Sequence, residues 1–483
     1  MIDYEQFMAE RRACLIAPAG CGKTHAIVEC LKCSEGRQLV VTHTNAGVAV
    51  LRDRIRKAGI SHARYKLETI SSVAQKLALS YAVSGDTPPQ ENTREYFPWV
   101  LKKACEVAGK THVKRMMNVS FSGVFVDEYQ DCTVTQHRML TSLAGDLPMR
   151  VLGDPMQGIF DFSPEDPIVD FEGDLREFKP YHLTEPWRWK SVNPALGEDI
   201  FSIRECLERG GHVNASGYRE IRFVTVKMEE AVPTITRIGR AAATTGSTLI
   251  VVSDSRGSRP RVQVAKYFGG QCGIIEAIDD REFYESAAQA DQLSSDNCVS
   301  LLYDVASRLF FKSQIDNWLK ETGVKRKRDS GDAECGAVLA AAVDGLRHEP
   351  NFENFGKCLE VLRNLPGVTL LEHEKFLSII RALRLARMSG TTAIESMRKV
   401  RNQVRMTGRR LGRFSVGSTL LTKGLEFDNV IVLDCNPGFR LDTVMGRRNF
   451  YVAVSRARRS LTVVRYDKNS YFRTWIRVAS RRS

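Results

Sequence analysis

The sequence predicts an α/β protein with two regions of parallel, helix-covered sheet. Short apolar runs alternate with helical stretches over the first part of the chain, and the alternation resumes near Leu183. Between about residues 270 and 410 the pattern changes to helical periods, as in Cys298 to Leu319 and Phe352 to Arg387. The three observations together predict two α/β regions, with a helical insertion in the second.

The strands of both regions are predicted from short, continuous apolar runs. In the first region the runs are residues 13–19, Arg37 to Thr42, Ser122 to Val126 and Met149 to Leu152. In the second they are Ile221 to Val226, Ser247 to Ser253, Arg413 to Leu421, Asn429 to Asp434 and Ser460 to Tyr466. Continuous apolar strands are typical of parallel sheets that are buried on both faces, and such sheets bind ligands at the carboxyl ends of their strands. We therefore expect the functional residues at those ends.

Composition narrows the class of protein. The chain has 483 residues, 43% of them hydrophobic and 26% charged, as in ordinary globular proteins. The net charge of +13 favours a polyanionic partner such as nucleic acid. No apolar run approaches the roughly 20 residues that span a bilayer, and the start, Met1-Ile2-Asp3, lacks an apolar signal core. We expect a cytoplasmic protein without membrane segments.

Two other features leave alternatives open. The twelve cysteines are scattered singly apart from Cys30-x-x-Cys33, and we expect reduced thiols. A metal or redox role for the lone pair is the alternative, although no second pair stands at metal-site spacing. The basic stretch Val324 to Asp332 is interpreted as a solvated loop, with a nucleic-acid contact or an import signal as alternatives.

A phosphate-binding loop follows the first predicted strand. Small residues there let backbone amides surround phosphate oxygens at the start of a helix. Lys23 would neutralise the β- and γ-phosphates of ATP, and the Thr24 hydroxyl would hold Mg²⁺. The nucleotide-binding residues predicted in this segment are Ala17, Pro18, Ala19, Gly20, Cys21, Gly22, Lys23, Thr24 and His25.

Acidic residues follow the strand that ends at Val126. Parallel-sheet geometry predicts that Asp127 lies near Thr24 and holds the Mg²⁺ shell, while Glu128 polarises the attacking water. Acidic residues also favour helix N-termini, so a capping cluster is the alternative for this pair when it is considered alone.

The next strand end and two arginines complete the predicted catalytic set. Gln157 is a candidate sensor of the γ-phosphate, and Arg188 and Arg456 are candidate arginine fingers from the second region. Phe160 and Phe162 are spaced to point the same way and could stack on bases. As an isolated pair they would more often be core residues, and each arginine alone would most often lie on the surface.

The order and wording of eight motifs resemble the UvrD/Rep-like superfamily 1A DNA helicases. The similarity runs through about residues 1–190 and 410–466. The matching stretches are APAGCGKT (17–24), VVTHTNAGVAVLRDRI (40–55), ETISSVA (68–74), VDEYQD (126–131), VLGDPMQGIFDF (151–162), LTEPWRW (183–189), LLTKGLEFDNVIVLD (420–434) and YVAVSRAR (451–458). The resemblance implies two RecA-like lobes: residues 1–182 with a reduced insertion at about 75–120, and residues 183–269 with 411–483, interrupted by the helical insertion 270–410.

The resemblance also implies further site residues. Trp187 would stack on adenine, Gly424 and Glu426 would contact phosphate and ribose, and Gln6 would read the adenine. The positions that match single-stranded DNA contacts are Thr44, Asn45, Thr69, Phe160 and Phe162. Some DNA-side positions depart from the family pattern, as where His43 replaces an aromatic Phe. The catalytic positions are retained, so ATP hydrolysis is implied more directly than the strand contacts.

The implied function is an ATP-dependent single-stranded DNA translocase or helicase that moves 3′ to 5′ with Mg²⁺. Both insertions are short for the family. Such compact proteins resemble helicase subunits paired with OLD-type nucleases, as in Gabija-like antiphage systems, which makes such a nuclease a candidate partner. One alternative is a regulatory ATPase subunit that senses DNA or nucleotide and gates a nuclease with little unwinding. A small-molecule kinase with the same phosphate loop is another, and the paired arginine motifs argue against it.

Overall fold

The computed structural model describes residues 2–83, 85–88, 93–160, 163–211, 213–253, 259–269, 271–275, 281–325, 330–407, 412–434 and 439–467. The chain divides into two compact units. The first consists of Met1–Thr225 and Lys423–Arg465, and the second of Val226–Thr422 and Tyr466–Ser483. The first unit therefore brings together two segments that are about two hundred residues apart in sequence.

The described residues form two six-stranded sheets. The strands are β1 Arg12–Ile16, β2 Gln38–Thr42, β3 Tyr65–Thr69, β4 Gly123–Val126, β5 Met149–Gly153, β6 Lys179–His182, β7 Ile221–Val226, β8 Thr248–Val252, β9 Gly273–Ile274, β10 Leu319–Lys320, β11 Gly323–Val324, β12 Phe414–Ser418, β13 Phe427–Asp434 and β14 Ala457–Tyr466. Strands β10 and β11 form a separate small antiparallel pair.

Helices surround these strands. They are α1 Tyr4–Ala9, α2 Lys23–Cys33, α3 Asn45–Lys57, α4 Ile70–Ser80, α5 Thr93–Ala108, α6 Thr111–Ser120, α7 Val134–Ala144, α8 Trp187–Lys190, α9 Pro194–Glu208, α10 Ala231–Thr245, α11 Arg259–Lys266, α12 Arg281–Ala290, α13 Cys298–Leu309, α14 Lys312–Ile315, α15 Ser330–His348, α16 Phe352–Arg363, α17 His373–Ser389, α18 Ala393–Thr407, α19 Thr419–Thr422 and α20 Val444–Val454. No described helix combines the length and the apolar character needed to cross a membrane.

The first sheet is parallel throughout, in the order β3-β2-β4-β5-β1-β6. Both of its faces are buried. On one face Leu15 and Val40 pack with Ile27 and Leu31 of α2, and on the other Val124 and its neighbours pack against α4, α5 and α7. Burial on both faces explains why these strands have continuous apolar sequences. The predicted α/β class, with parallel, helix-covered sheets, is confirmed.

Each unit contains further parallel strands. In the first unit β13 pairs in parallel with β14, and Val430 lies opposite Leu461. In the second unit β12 pairs in parallel with β8 and β9. The predicted strand Arg413 to Leu421 is shorter in the structure, because it ends at Ser418 and the helical turn α19 follows.

The second unit also contains the helices α12 to α18, which share one apolar core. The long helical periods predicted there are interrupted in the structure. Between α16 and α17, Pro366 and Gly367 separate the two helices, and Gly367 has a φ of +70°. Proline lacks the amide that a continuing helix requires, and glycine adopts the left-handed region at little cost. Residues 326–329 of the predicted basic loop lie outside the described residues.

Candidate functional site

The loop between β1 and α2 has the backbone conformation that its small residues permit. Gly20 and Gly22 have φ values of +77° and +88°, a region that favours glycine. Gly22 is the N-cap of α2 and provides no side-chain cap, so the first amides of the helix have no hydrogen bond from that source. Uncapped amides at a helix start, with the positive end of the helix dipole, suit an anionic ligand.

Distant segments of the first unit hold this loop. The Ala17 amide donates to the Gly153 carbonyl at 2.9 Å, and the Arg188 amide donates to the Gly20 carbonyl at 3.1 Å. The Ala19 amide donates to the hydroxyl of Tyr451 at 3.0 Å. Residues from three separate parts of the sequence therefore set the shape of the loop.

Lys23 and two carboxylates lie at the carboxyl edge of the first sheet. The Lys23 ammonium donates to the Ala17 carbonyl at 3.1 Å. Asp127 directly follows β4 and is buried, and its carboxylate accepts the amide of Glu128 at 3.0 Å. Glu128 has a φ of +55°, which no other described non-glycine residue shares in sign. Such strained backbone is stored where surrounding structure fixes it, often at functional sites.

The two carboxylates, Asp127 and Glu128, differ in the direction of their pKa shifts. Burial, and next the charge of Glu128, raise the pKa of Asp127. Burial also acts to raise the pKa of Glu128, but the nearby cations Lys23 and Lys423 outweigh it, and the pKa of Glu128 is lowered. Glu128 is therefore ionised at neutral pH, and an ionised carboxylate in this position can orient a water molecule or accept its proton.

Gln157 connects a buried carboxylate to a buried guanidinium. Its amide nitrogen donates to Asp154 at 2.7 Å, and its amide oxygen accepts from Arg456 Nη2 at 3.2 Å. Asp154 is fully buried and also forms an ion pair of 3.2 Å with Arg204 of α9. The amide of Gln157 is thus oriented from both sides.

Arg456 is 2% exposed, and its guanidinium is satisfied by several acceptors. Nε donates to the Val452 carbonyl at 2.8 Å, Nη1 to the Leu425 carbonyl at 3.3 Å and Nη2 to the Ser455 hydroxyl at 2.8 Å. Burial, followed by the charge of Arg188, lowers the pKa of Arg456 to about 10. The group stays cationic at neutral pH and lies within electrostatic reach of Glu128.

Arg188 lies beside Ser455, the residue before Arg456. Its Nη2 forms an ion pair with Glu426 at 2.8 Å, and its Nη1 donates to the Ser455 carbonyl. The next residue, Trp189, is fully buried and donates from its indole nitrogen to the Ala457 carbonyl at 2.7 Å. The structure therefore brings together Lys23, Glu128, Gln157, Arg188 and Arg456, the five predicted catalytic residues, in the first unit.

The sequence prediction missed a buried ion pair at this site. The Lys423 ammonium donates to both carboxylate oxygens of Asp131, and to the Gln157 carbonyl at 2.5 Å. It also lies 4.8 Å from the centre of the Phe160 ring. Lys423 and Asp131 lie in two of the eight motifs that resemble the helicase family. Their opposite charges were the sign of an ion pair that the sequence offered. The pairing itself depends on a contact across 292 positions of sequence.

Two of the residues predicted to hold DNA have capping roles in the structure. Thr44 and Thr69 cap α3 and α4, because their hydroxyls accept the amides of Gly47 and Ser72, each at 3.0 Å. Asn45 is exposed at the start of α3, and Phe160 is partly buried under Lys423. Phe162 lies outside the described residues. Capping does not conflict with ligand contact, and the DNA role of these residues stays a prediction.

His43, at the departure from the family pattern, faces inward. Its Nε2 lies 3.3 Å from the thiol sulfur of Cys132. Burial, and next the charge of Lys423, lower the pKa of His43 to about 4, so the ring is neutral at neutral pH. The His43 ring is therefore a neutral group that contacts a buried thiol.

The other predicted nucleotide contacts are Trp187, Gly424, Gln6 and His25. Trp187 is 49% exposed, and a Cβ added to Gly22 would lie 3.6 Å from its ring. Gly424 has a φ of +78° and open space where a side chain would start. Gln6 lies on the exposed side of α1, and His25 is exposed at the start of α2. Their contacts with a nucleotide stay predictions.

Thr24 and Asp127 carry the oxygen donors that Mg²⁺ prefers, and their role in binding it stays a prediction. No group of three or more His, Cys, Asp or Glu side chains able to hold a metal occurs in the described part of the chain. Mg²⁺ is typically bound through one or two protein oxygens, with phosphate oxygens and water completing its shell. A hydroxyl and a buried carboxylate match that requirement. Cys30 and Cys33, the alternative metal candidates, are free thiols on α2.

Comparison with known proteins agrees with a nucleotide-binding domain. Residues 4–163 match the family model described as AAA domain. That range contains the phosphate loop, Asp127, Glu128 and Gln157. No curated protein sequence matches the chain. Among solved structures, the chain is similar to a complex of arterivirus nonstructural protein 10, a helicase, with DNA, at 11% identity and a TM-score of 0.35. That alignment covers 96% of this chain and 62% of the other, so the chain spans less than two thirds of that protein's length.

Gly20→Ala tests whether the loop must retain its close packing. A Cβ at Gly20 would lie 2.7 Å from the Trp189 ring and 2.8 Å from Arg188 Cβ. We expect Gly20→Ala to weaken binding of a fluorescent ATP analogue by roughly tenfold or more, as misplaced binding groups do. Gly59→Ala is the matched control, because Gly59 has a similar φ of +73° and nothing within 4 Å of an added Cβ. Equal affinity in the two variants would contradict this account of the loop.

Proposed function

We propose that the protein hydrolyses ATP and couples the hydrolysis to movement along single-stranded nucleic acid. The observation that carries the proposal is that Lys23 and Arg456 both lie within electrostatic reach of Glu128, with Gln157 hydrogen-bonded to Arg456. A lysine, an ionised carboxylate and a guanidinium around one uncapped helix start are the parts that phosphoryl transfer requires. The AAA-domain match over residues 4–163 supports the same reaction.

Each residue has a role that follows from its chemistry. Lys23 and the α2 amides would bind the phosphates, and Glu128 would orient the attacking water and accept its proton. Arg456 and Arg188 would stabilise the charge that spreads over the transferred phosphoryl group, since planar guanidinium groups match its oxygens. Mg²⁺, held by Thr24 and Asp127, would neutralise part of the phosphate charge. Gln157 would sense the γ-phosphate through its bond to Arg456.

Coupling to nucleic acid is supported by position and charge. The Gln157 carbonyl accepts from Lys423, and Lys423 in turn lies over Phe160, a predicted base-stacking residue. A rearrangement of Gln157 on hydrolysis would thus be transmitted to an aromatic ring next to a cation. The net charge of +13 favours a polyanionic partner. The motif resemblance adds 3′ to 5′ polarity and, more specifically, a nuclease partner in antiphage defence.

Lys23→Ala tests the catalytic part of the proposal. Loss of the lysine removes the positive charge that neutralises the phosphates, so we expect ATPase turnover to fall at least roughly a hundredfold. Lys32→Ala is the control, because Lys32 lies on the same helix, its side chain is 46% exposed, and its ammonium forms an ion pair with Glu29 at 2.8 Å. The measurement is phosphate release at saturating ATP. Near-normal turnover of Lys23→Ala would remove the proposed reaction.

Arg456→Lys tests the arginine's part in the reaction. A lysine keeps the charge but cannot donate to Val452, Leu425, Ser455 and Gln157 together. We expect kcat for ATP to fall by roughly a thousandfold, the scale of an arginine finger, with a smaller change in KM. Arg459→Lys, at a side chain 63% exposed, serves as the control. Equal kcat values for the two variants would be incompatible with a catalytic Arg456.

Strand-displacement measurements test the nucleic-acid part. We expect single-stranded DNA to raise the ATPase rate more than duplex does, and ATP to drive displacement of a strand from a duplex with a 3′ single-stranded tail. Single-stranded RNA serves as the comparison ligand. Stimulated ATPase without displacement would instead support the regulatory-subunit alternative. An ATPase rate that no single strand changes would contradict coupling altogether.

A further inference from the structure

We infer that Tyr451 is a positioning residue that holds the phosphate loop in register with Arg456, an inference that rests on the proposed ATPase function. Tyr451 belongs to α20 and is fully buried. Its hydroxyl accepts the Ala19 amide at 3.0 Å, a direct bond between a side chain of the C-terminal segment and the backbone of the loop. A buried hydroxyl bonded to a loop amide restricts where that part of the loop can lie.

The path from Tyr451 to Arg456 is short and rigid. Tyr451 lies in the last turn of α20 and Arg456 lies two residues after the helix; the Ser455 amide donates to the Tyr451 carbonyl at 3.0 Å. The Arg456 guanidinium donates to Val452, the residue after Tyr451, at 2.8 Å. Tyr451 and Arg456 are therefore fixed relative to each other by one helical turn.

A second path closes a ring of contacts. The Arg204 guanidinium lies 5.9 Å from the centre of the Tyr451 ring and forms an ion pair with Asp154 at 3.2 Å. Asp154 accepts from Gln157 at 2.7 Å, and Gln157 accepts from Arg456. The contacts therefore run from Tyr451 to Arg456 and Gln157, and return to Tyr451 through Asp154 and Arg204.

The hydroxyl, and not only the ring, is required by this arrangement. Burial raises the pKa of Tyr451 well above its ordinary value, so the hydroxyl is neutral at neutral pH. Its oxygen satisfies a buried loop amide that would otherwise lack this partner. Removal of the oxygen leaves the packing of the ring intact and frees the Ala19 end of the loop. We expect the loop and Arg456 then to lose their mutual alignment, which affects transition-state contacts more than ground-state binding.

Tyr451→Phe tests the inference with two readouts. Amide hydrogen exchange in a peptide covering residues 13–25 should be faster in the variant than in the wild type. With saturating ATP, kcat should fall roughly fivefold to tenfold, as for loss of one aligned hydrogen bond, and KM should change by less than about twofold. Tyr65→Phe is the matched control. Tyr65 is 4% exposed and its hydroxyl forms a hydrogen bond of 3.0 Å with His62. It lies on β3, at the edge of the first sheet that is farther from β1 and the phosphate loop.

The outcomes separate the inference from the proposed function. A wild-type protein without ATPase activity would remove the proposed function, and the exchange measurement would still decide whether Tyr451 holds the loop. Unchanged exchange in residues 13–25 of Tyr451→Phe overturns the inference. So does a kcat equal to that of Tyr65→Phe in an active protein. A matching loss of thermal stability in both variants, with a lower kcat only in Tyr451→Phe, supports positioning over general packing.

Discussion

The buried guanidinium of Arg456 is the constraint on which the site depends. A cation that is 2% exposed must find acceptors within the protein, and Arg456 finds them in the Val452 and Leu425 carbonyls, the Ser455 hydroxyl and the Gln157 amide. Leaving one of these bonds unmade would cost about 1–3 kcal/mol. These bonds therefore fix the segment Lys423–Arg465 to the turn after β5 that carries Gln157.

The same requirement explains the surrounding polar network. Asp154 is fully buried between Gln157 and Arg204, and Asp131 is buried against Lys423. Buried ion pairs contribute little net stability, because desolvation offsets the Coulomb attraction. Their effect here is geometric: each fixes a side chain that faces the phosphate loop or the carboxylate Glu128. Removing one partner of either pair would leave an uncompensated charge in the interior.

Local patterns predicted much of this structure. The central strands and the loop before α2 follow from continuous apolar runs and small residues. The edge strands β3 and β6 were not predicted, because partly exposed edges lack that pattern, and β6 even contains Pro180. Five residues of the candidate site were singled out from the sequence, but not their partners. The bonds of Lys423 to Asp131 and of Tyr451 to Ala19 join segments hundreds of positions apart, which no local periodicity encodes.

The central claim is that the Gln157 amide and the Arg456 guanidinium act as one unit on a bound nucleotide. A double-mutant cycle on kcat for ATP hydrolysis, with Gln157→Ala, Arg456→Lys and the double variant, measures their coupling directly. The account predicts that the double variant is hardly slower than Arg456→Lys alone, because each change breaks the same contact. Losses that multiply independently across the cycle would contradict it.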